Sequence, residues 1–323
     1  MSPAADEVIV TLTANPSVDR TLEIPSLDRG EVVRATAARV HPGGKGVNVA
    51  RALVANGIRA RAVLPAGGRE GEQLLDLLSS LGVEVVPVPI AESVRQNVTV
   101  VEPDGTVTKL NAPGPQLSPG EIARLIQVVV EASRGADWVA LCGTLPPGAP
   151  EDLYATLVRE LHLIGVRVAV DTSGAALVKA IEAGPDLIKP NREELAEAVA
   201  CPMQNLGDVA NGARRLLDRG VGHVLVSLGR DGAVSVSDSV VLRAWTAPVV
   251  PRSTVGAGDA TLAGFLSTRD QHSLALRTAV AWGAAAVKLP GTGMPTPADI
   301  DVDEVTVEEL DAGPVVDTRR GIG

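Results

Sequence analysis

Residues 138–172, WVALCGTLPPGAPEDLYATLVRELHLIGVRVAVDT, contain two short apolar runs on either side of a segment with helical periodicity. The runs start at Trp138 and Val166, are rich in Val and Ala, and have the length of buried strands. The pattern predicts a helix over Pro150–Ile164 between them. Consecutive parallel strands need a crossover of this kind, so the segment indicates one strand–helix–strand unit of a parallel sheet.

The same alternation recurs along most of the chain. Further apolar runs predict strands in VIVTLTAN from Val8, RAVLPAGG from Arg61, DLIKP from Asp186 and HVLVSLG from His223. Further helices are predicted over Gly46–Asn56, Pro119–Ser133 and Ala260–Ser267. Strands that alternate with helices are typical of an α/β fold with a central, mostly parallel sheet.

Two stretches break this rhythm, residues 21–40 and 94–111. The second contains NVTVVEPDGTVTKL, in which Asp104-Gly105 predicts the turn of a β-hairpin. We expect the two stretches to form a small separate sheet, a lid over the edge of the main sheet where α/β proteins bind ligands. The predicted α/β domain then comprises residues 1–20, 41–93 and 112–310, and residues 311–323 form a frayed tail.

Composition limits the possible functions. The formal net charge of −10 and the isoelectric point near 5.0 argue against binding of nucleic acid, which requires a basic face. No apolar run reaches the roughly 18 residues of a membrane-spanning helix and no basic secretion signal starts the chain, so we expect a soluble, cytoplasmic protein without a membrane partner. Cys142 and Cys201 lie far apart and the histidines are scattered, which favours neither a disulfide nor a zinc site.

The segment with the clearest chemical signature is STVGAGDATLAGF, residues 253–265. Gly256, Ala257 and Gly258 predict a turn that opens a helix, where free backbone N–H groups and the helix dipole hold an oxyanion or phosphate. Asp259 places an acceptor beside this anion site. The alternative is that Asp259 merely caps the helix after a glycine turn.

A second glycine turn lies in PGGKGVNVARAL, residues 42–53. It is not a Walker A loop, since Lys45 is followed by Gly rather than by Ser or Thr. Gly43 and Gly44 permit close approach of a polyol. Asn48 suits the hydroxyl groups of that polyol, and Lys45 suits a phosphate. The alternative is a tight strand-to-helix turn with a solvated lysine.

Charged and polar side chains in and beside the lid form a third candidate group. Asp19 can bind two sugar hydroxyls. Arg95 and Lys109 suit a phosphate, and Asn111 follows Lys109 closely in TKLNAPG. The alternative is that each of these charges on a lid strand is simply solvated.

The segment KPNREEL, residues 189–195, places Asn191 three residues before Glu194. This spacing predicts a capping box at the start of a helix. It also suits Glu194 to hold a hydrated magnesium ion through water, and the two interpretations are compatible. Further along, VSLGRDGAV ends a strand at Ser227 and turns at Gly232, either around a nucleotide or to close a hairpin.

Taken in order, the segments NPSVD, GGKGVN, RQN, GTLPPG, VDTSG, KPNREE, SLGRDG and STVGAGD resemble the ribokinase-like PfkB carbohydrate kinases from about Val8 to Gly293. The resemblance is specific because the order of the segments is kept, and it is closest to the branch that acts on phosphorylated ketoses. It implies a three-layer αβα fold with a β-sheet lid. It also implies ATP and a sugar phosphate as small-molecule substrates, magnesium as cofactor, and a homodimer formed by pairing of two lids.

The resemblance implies a role for each matching residue. Asp259 corresponds to the catalytic base, and the anion hole for the transferred phosphoryl group is assigned to Gly256, Ala257 and Gly258. The residues assigned to the substrate are Asp19, Gly43, Gly44, Lys45, Asn48, Arg95, Lys109, Asn111 and Thr144, with Lys45 and Arg95 on its phosphate. Those assigned to the nucleotide are Lys189, Asn191, Ser227, Gly229, Gly232 and Thr254, and Glu194 is assigned to magnesium through water. Thr144 departs from the Ser of many relatives but keeps the hydroxyl.

Two rival classes of protein share parts of this pattern. A non-catalytic sugar-phosphate sensor would use the same fold, although Asp259 and the glycines beside it favour an enzyme. A dinucleotide-dependent dehydrogenase also alternates strands and helices. No G-x-G-x-x-G follows the first strand, which disfavours the dehydrogenase.

Overall fold

The computed structural model describes residues 8–268 and 272–310. The strands are β1 (Ile9–Thr13), β2 (Ser17–Glu23), β3 (Ala37–Gly43), β4 (Ala60–Ala66), β5 (Glu84–Pro89), β6 (Arg95–Val101), β7 (Val107–Asn111), β8 (Trp138–Cys142), β9 (Arg167–Asp171), β10 (Leu187–Ile188), β11 (Val224–Ser227), β12 (Ala233–Val236), β13 (Val241–Trp245) and β14 (Thr306–Glu309). The α-helices are α1 (Lys45–Ala55), α2 (Gly68–Ser80), α3 (Pro119–Ala132), α4 (Leu153–Leu163), α5 (Gly174–Ile181), α6 (Arg192–Val199), α7 (Leu206–Leu217), α8 (Ala257–Leu266) and α9 (His272–Val287).

The main sheet has ten strands among the described residues, in the order β14-β13-β12-β11-β10-β9-β8-β1-β4-β5. From β5 to β11 the neighbouring strands run parallel, while β12, β13 and β14 add an antiparallel edge. β1 lies in the middle of the parallel part, where Ile9 pairs with Ala60 on one side and Trp138 on the other. The predicted mostly parallel α/β sheet is therefore confirmed.

Helices cover both faces of this sheet. One apolar cluster contains buried side chains of α3 to α7, and a second contains those of α1, α2, α8 and α9. Side chains of a strand alternate between the two clusters, because successive residues point to opposite faces. In β9, Val168 and Val170 join the first cluster and Ala169 joins the second. The three-layer αβα arrangement is thus confirmed.

Two helix starts differ from the predicted ones by three residues, and the other boundaries of the predicted helices agree within one residue. α4 begins at Leu153 rather than at Pro150, since residues 150–152 form a turn that leads into the helix. α8 begins at Ala257 rather than at Ala260, so the glycine segment and Asp259 already belong to its first turn. No helix of the described ranges is long and apolar enough to cross a bilayer.

A second sheet lies beside the main one, with the strand order β3-β2-β6-β7. The predicted hairpin is present, as β6 and β7 are antiparallel and Gly105 in their connection has a φ of 89°. The sheet starts at Ser17 and extends to Gly43, so its strands reach beyond the predicted residues 21–40 toward the main sheet. The predicted tail, residues 311–323, lies outside the described residues.

Candidate active site

The candidate site lies at the edge of the main sheet where the parallel strands end. β1 ends at Thr13, β8 at Cys142 and β9 at Asp171, and these three strands are neighbours in parallel register. The first turns of α1 and α8 meet at this edge, since Asn48 of α1 contacts Asp259 of α8. Ligands of open α/β sheets bind at this edge, so the geometry places the two glycine turns where a substrate would enter.

The residues predicted to hold an anion lie at the N-terminus of α8. Gly256 is the N-cap residue, has a φ of 81° and provides no side-chain cap, so first-turn N–H groups remain available to a ligand. A Cβ on Gly258 would lie 3.4 Å from the Nζ atom of Lys189, which places a cation directly beside this turn. Ala257 is the first helical residue between the two glycines.

Asp259 does not cap α8, so the alternative interpretation of this residue is wrong. Its Oδ2 atom instead accepts a hydrogen bond of 2.9 Å from Nδ2 of Asn48. Only 7% of the residue is exposed. Burial, together with the nearby charge of Asp171, raises the pKa of Asp259 from 3.8 to about 6, although Asn48, Lys45 and Lys189 act in the opposite direction. A carboxylate with such a pKa is a suitable general base at neutral pH.

Asp171 is the functional residue that sequence reasoning missed. Its side chain is fully buried and forms ion pairs with Lys45 at 2.8 Å and with Lys189 at 3.0 Å. Burial by itself would raise the pKa of Asp171, but the two lysines outweigh burial and lower it. Burial would likewise lower the pKa of Lys45, and the charge of Asp171 overcomes this and raises it. The Lys45 ammonium group is thereby held charged, and the Lys189 side chain lies against the same carboxylate.

The structure brings Lys45 and Lys189 together at the carboxylate of Asp171. Lys45 was predicted on the substrate phosphate and Lys189 on the nucleotide, yet Asp171 brings both ammonium groups to one centre. The side chain of Lys45 is 37% exposed and that of Lys189 only 5%. The Lys45 side chain is therefore open to solvent, whereas that of Lys189 is enclosed beside the first turn of α8.

Asp19, predicted to bind sugar hydroxyls, is held in a polar cluster of the small sheet. Its Oδ1 atom accepts hydrogen bonds from Ser17 Oγ at 2.6 Å and from Asn97 Nδ2 at 3.0 Å, which fixes the carboxylate. A Cβ on Gly43 would collide with this carboxylate, so the glycine leaves the space that the Asp19 side chain occupies. Gly44, with a φ of 121°, is the N-cap residue of α1. Asn97 is a second residue that the sequence reasoning did not single out.

Other residues assigned to the substrate lie nearer the edges of the site. Arg95 donates to the backbone carbonyls of Ala112 at 2.8 Å and Asn15 at 3.0 Å, so its guanidinium group links the two sheets. Lys109 and Asn111 are exposed on β7, with Asn111 paired to Asn97 in register. Thr144 is exposed just after β8.

The residues assigned to the nucleotide form a second group. Asn191 and Glu194 make the predicted capping box of α6, with bonds of 2.8 and 2.9 Å. Asn191 also pairs with Ser227 in a parallel bridge, which joins the two predicted nucleotide segments. Gly229 starts a 3-10 turn that closes the β11–β12 hairpin, and a Cβ on Gly232 would collide with the carbonyl of Ala244. Thr254 is exposed shortly before α8.

A buried carboxylate beside a helix N-terminus suits transfer of a phosphoryl group to an alcohol, and the adjoining small sheet suits a reaction shielded from water. Fold and site are those of an enzyme, a kinase with a small alcohol acceptor. Residues 7–299 match the family described as pfkB family carbohydrate kinase, and the chain belongs to that family.

Several well-described proteins are similar to this chain. The 1-phosphofructokinase of Rhodobacter capsulatus is 37% identical over 262 residues, which cover 80% of this chain and 82% of that protein. The ATP-dependent 6-phosphofructokinase isozyme 2 of Escherichia coli is 36% identical over 281 residues, covering 86% and 90%. The crystal structure of phosphofructokinase-2 from Escherichia coli in complex with potassium superposes with a TM-score of 0.86 at 35% identity, covering 90% and 96%.

Proposed function

We propose that this enzyme transfers the γ-phosphoryl group of ATP to the 6-hydroxyl of fructose 1-phosphate, giving fructose 1,6-bisphosphate and ADP. The observation that carries this proposal is Asp259, a buried carboxylate with a pKa of about 6 at the N-terminus of α8. The similarity to proteins named 1-phosphofructokinase supports the choice of substrate.

In the proposed reaction, Asp259 accepts the proton of the 6-hydroxyl as the oxygen bonds to the γ-phosphorus. The bond from the γ-phosphorus to the bridging oxygen breaks, and ADP leaves with the electron pair. N–H groups at the start of α8, including those of Ala257 and Gly258, bind the equatorial oxygens of the transferred group. Such donors need no reorganisation during the reaction, because the helix holds them in place.

The cluster of Asp171, Lys45 and Lys189 provides positive charge for the phosphates. The three side chains carry one net positive charge when all are ionised, and the Lys45 ammonium group is partly exposed toward the cleft. Lysine acts on phosphate as a compact point charge. We therefore assign Lys45 to contact phosphate oxygens in the cleft. We assign Lys189 to stabilise the anion site from its buried side, next to Asp171.

Magnesium is expected to accompany ATP. Among the described residues no group of three or more His, Cys, Asp or Glu side chains is placed to hold a metal ion. A site with so few carboxylates fits magnesium that is bound mainly by phosphate and water oxygens. Glu194 would contact the ion through a water molecule. The cap of α6 uses Oε2 of Glu194, so Oε1 would serve that role. When bound, the ion would supply positive charge against the phosphates.

Asp19 and Asn48 are assigned to the hydroxyls of the sugar. The Asp19 carboxylate is fixed by Ser17 and Asn97, and Asn48 stands beside Asp259. Both side chains offer oxygen or nitrogen atoms to a polyol between the small sheet and the main sheet. The nucleotide is assigned to the opposite side of the cleft, where Asn191 pairs with Ser227.

The substrate is tested by measuring magnesium- and ATP-dependent ADP release with fructose 1-phosphate, fructose 6-phosphate and tagatose 6-phosphate. We expect the highest kcat/KM with fructose 1-phosphate. The second candidate is a 6-phosphate as acceptor, which the similarity to 6-phosphofructokinase isozyme 2 favours. Preference for either 6-phosphate would keep Asp259 as base but change the substrate. Binding of sugar phosphate without ADP release would instead indicate the sensor.

We also propose that two copies associate through the small sheet. Leu110 is 60% exposed and lies opposite Val98 in the β6–β7 register, and Leu22 shares this apolar face. Burying such a face against a second copy would remove exposed apolar surface. In sedimentation velocity the wild type should be a dimer and Leu110→Glu a monomer. Val107→Glu, on the opposite face, should stay dimeric, and a monomeric wild type would contradict the proposal.

We place the reaction in the cytoplasm, where ATP is supplied. Cys142 is buried and Cys201 exposed, and both are free thiols, as expected for a reducing compartment. Fractionation of cells that produce the protein would test this location, and recovery from an extracytoplasmic fraction would contradict it.

A further inference from the structure

The side chain of Arg51 connects three parts of the molecule next to the proposed base. From α1, its Nη1 atom donates to Oδ1 of Asn48 at 3.0 Å. The same atom lies 3.5 Å from the carbonyl oxygen of Pro42 on β3. Its Nη2 atom donates to the carbonyl oxygen of Thr292, in the segment after α9, at 3.1 Å. The guanidinium group is therefore held from two sides while it contacts Asn48.

The chemistry of arginine decides which way the amide of Asn48 points. A guanidinium group has only donors, so the Asn48 atom that faces Arg51 must be the oxygen. The amide nitrogen then faces Asp259, where Nδ2 donates to Oδ2 at 2.9 Å. The flipped amide would place two donors together at Arg51 and two acceptors together at Asp259. Arg51 thus excludes the orientation that would repel the carboxylate.

We propose that Arg51 is a positioning residue for phosphoryl transfer, which fixes the amide of Asn48 and through it the carboxylate of Asp259. This inference rests on the proposed role of Asp259 as base. Arg51 itself does not contact the reacting atoms of the proposed phosphoryl transfer. A general base must lie within hydrogen-bond reach of the proton that it removes, so a carboxylate free to rotate would be a poorer base.

Loss of Arg51 also changes the electrostatics of the base in a defined direction. The charges of Asp171, Lys45 and Lys189 act on Asp259, and the charge of Arg51 interacts with that of Asp19 and also with that of Asp259. Removing the guanidinium charge disfavours the carboxylate, and a flipped Asn48 removes a donor to it. Both effects raise the pKa of Asp259. Loss of a side chain that only ties the segment after α9 to α1, such as that of Asn56, should not move this pKa.

The test compares Arg51→Met, which keeps the apolar part of the side chain, with Arg51→Lys, which keeps the charge. The matched control is Asn56→Ala at the end of α1. Asn56 Nδ2 donates to the carbonyl of Pro295 at 2.9 Å, so it also ties the segment after α9 to α1, but it does not contact Asn48. Steady-state kinetics would be measured across pH 5–9, with thermal unfolding to verify that each variant is folded.

We expect Arg51→Met to lower kcat about tenfold, with the KM for ATP changed less than about twofold. The acid limb of its kcat/KM profile should move up by about one pH unit. Arg51→Lys should recover most of kcat, and Asn56→Ala should behave as the wild type. If Arg51→Met and Asn56→Ala had equal effects, the loss would come from the tether and the inference would be overturned.

A double-mutant cycle separates this inference from the proposed function. If Arg51 acts through Asn48, Arg51→Met should cost much less kcat in an Asn48→Ala background than in the wild type. An equal loss in both backgrounds would overturn the inference even where Arg51→Met folds poorly. Asp259→Asn with full turnover would instead overturn the proposed function, whatever Arg51 does.

Discussion

Replacing Asp259 with asparagine should make the protein more stable at neutral pH while it abolishes most turnover. The carboxyl is buried, and its pKa is raised from an ordinary 3.8 to about 6 in the folded protein. At 1.36 kcal/mol per pKa unit, the raised pKa lowers the unfolding free energy of the wild type by about 3 kcal/mol above pH 6. Asparagine carries no charge and can still accept the Asn48 hydrogen bond through its carbonyl.

The sign of this effect depends on pH. Below pH 3.8 the carboxyl is protonated in both the folded and the unfolded protein, so it causes no penalty. As the pH rises toward 6 the unfolded state loses the proton first, and the folded state is progressively disfavoured. The advantage of Asp259→Asn should therefore be about 3 kcal/mol at pH 8 and about 1.5 kcal/mol at pH 5.

Urea denaturation of both proteins at pH 5 and pH 8 measures this difference. The control is Asp238→Asn, a substitution at an exposed carboxyl in the β12–β13 connection, whose stability should match that of the wild type at both pH values. An Asp259→Asn variant that is less stable than the wild type at pH 8 would refute the reasoning. A stability gain that does not change with pH would refute it equally, because it would not come from the charge.

Three further predictions follow from the same geometry. The kcat/KM of the wild type should fall about tenfold per unit below pH 6, as the base is protonated, and a flat profile from pH 5 to 8 would contradict this. Asp171→Asn should lower the unfolding free energy by about 3–5 kcal/mol in urea denaturation, since the buried Lys189 and the partly exposed Lys45 lose their partner, and unchanged stability would count against the cluster. Gly43→Ala should raise the KM for the sugar phosphate about tenfold by displacing Asp19. Gly120→Ala, with open space around its Cβ position, should leave that KM unchanged, and equal KM values for the two variants would contradict the crowding at Gly43.

The sequence predicted the centre of the fold better than its edge. Around Trp138 and Val166, apolar runs flank a long helical pattern, and strand–helix–strand units of this kind have few alternatives. Of the antiparallel edge, only the hairpin at Gly232 was considered, as one of two interpretations of that turn, and β13 and β14 were not predicted. Their sequences, VLRAW and TVEE, include charged residues and lack the continuous apolar run of the central strands, so they resemble loops. Their pairing depends on contacts with a sheet that the local sequence does not describe.

The site was predicted in part for a related reason. Glycine turns before helices are local patterns, so the segments at Gly44 and Gly256 could be recognised directly. Asp171 was missed because its role depends on Lys45, which is 126 residues away in sequence. One carboxylate at the end of an apolar strand was the available signal, and it does not reveal its partner. Arg51 was missed likewise, as an arginine on a helix is usually solvated.

The most direct test of Asp259 as the general base is a single-turnover measurement on Asp259→Asn. The variant and the wild type would be mixed with magnesium, ATP and fructose 1-phosphate, and ADP would be followed while calorimetry measures ligand binding. We predict that the variant binds both substrates nearly as well as the wild type but forms ADP at least about a hundredfold more slowly. ADP formation at the wild-type rate would contradict the role of Asp259 and the mechanism built on it.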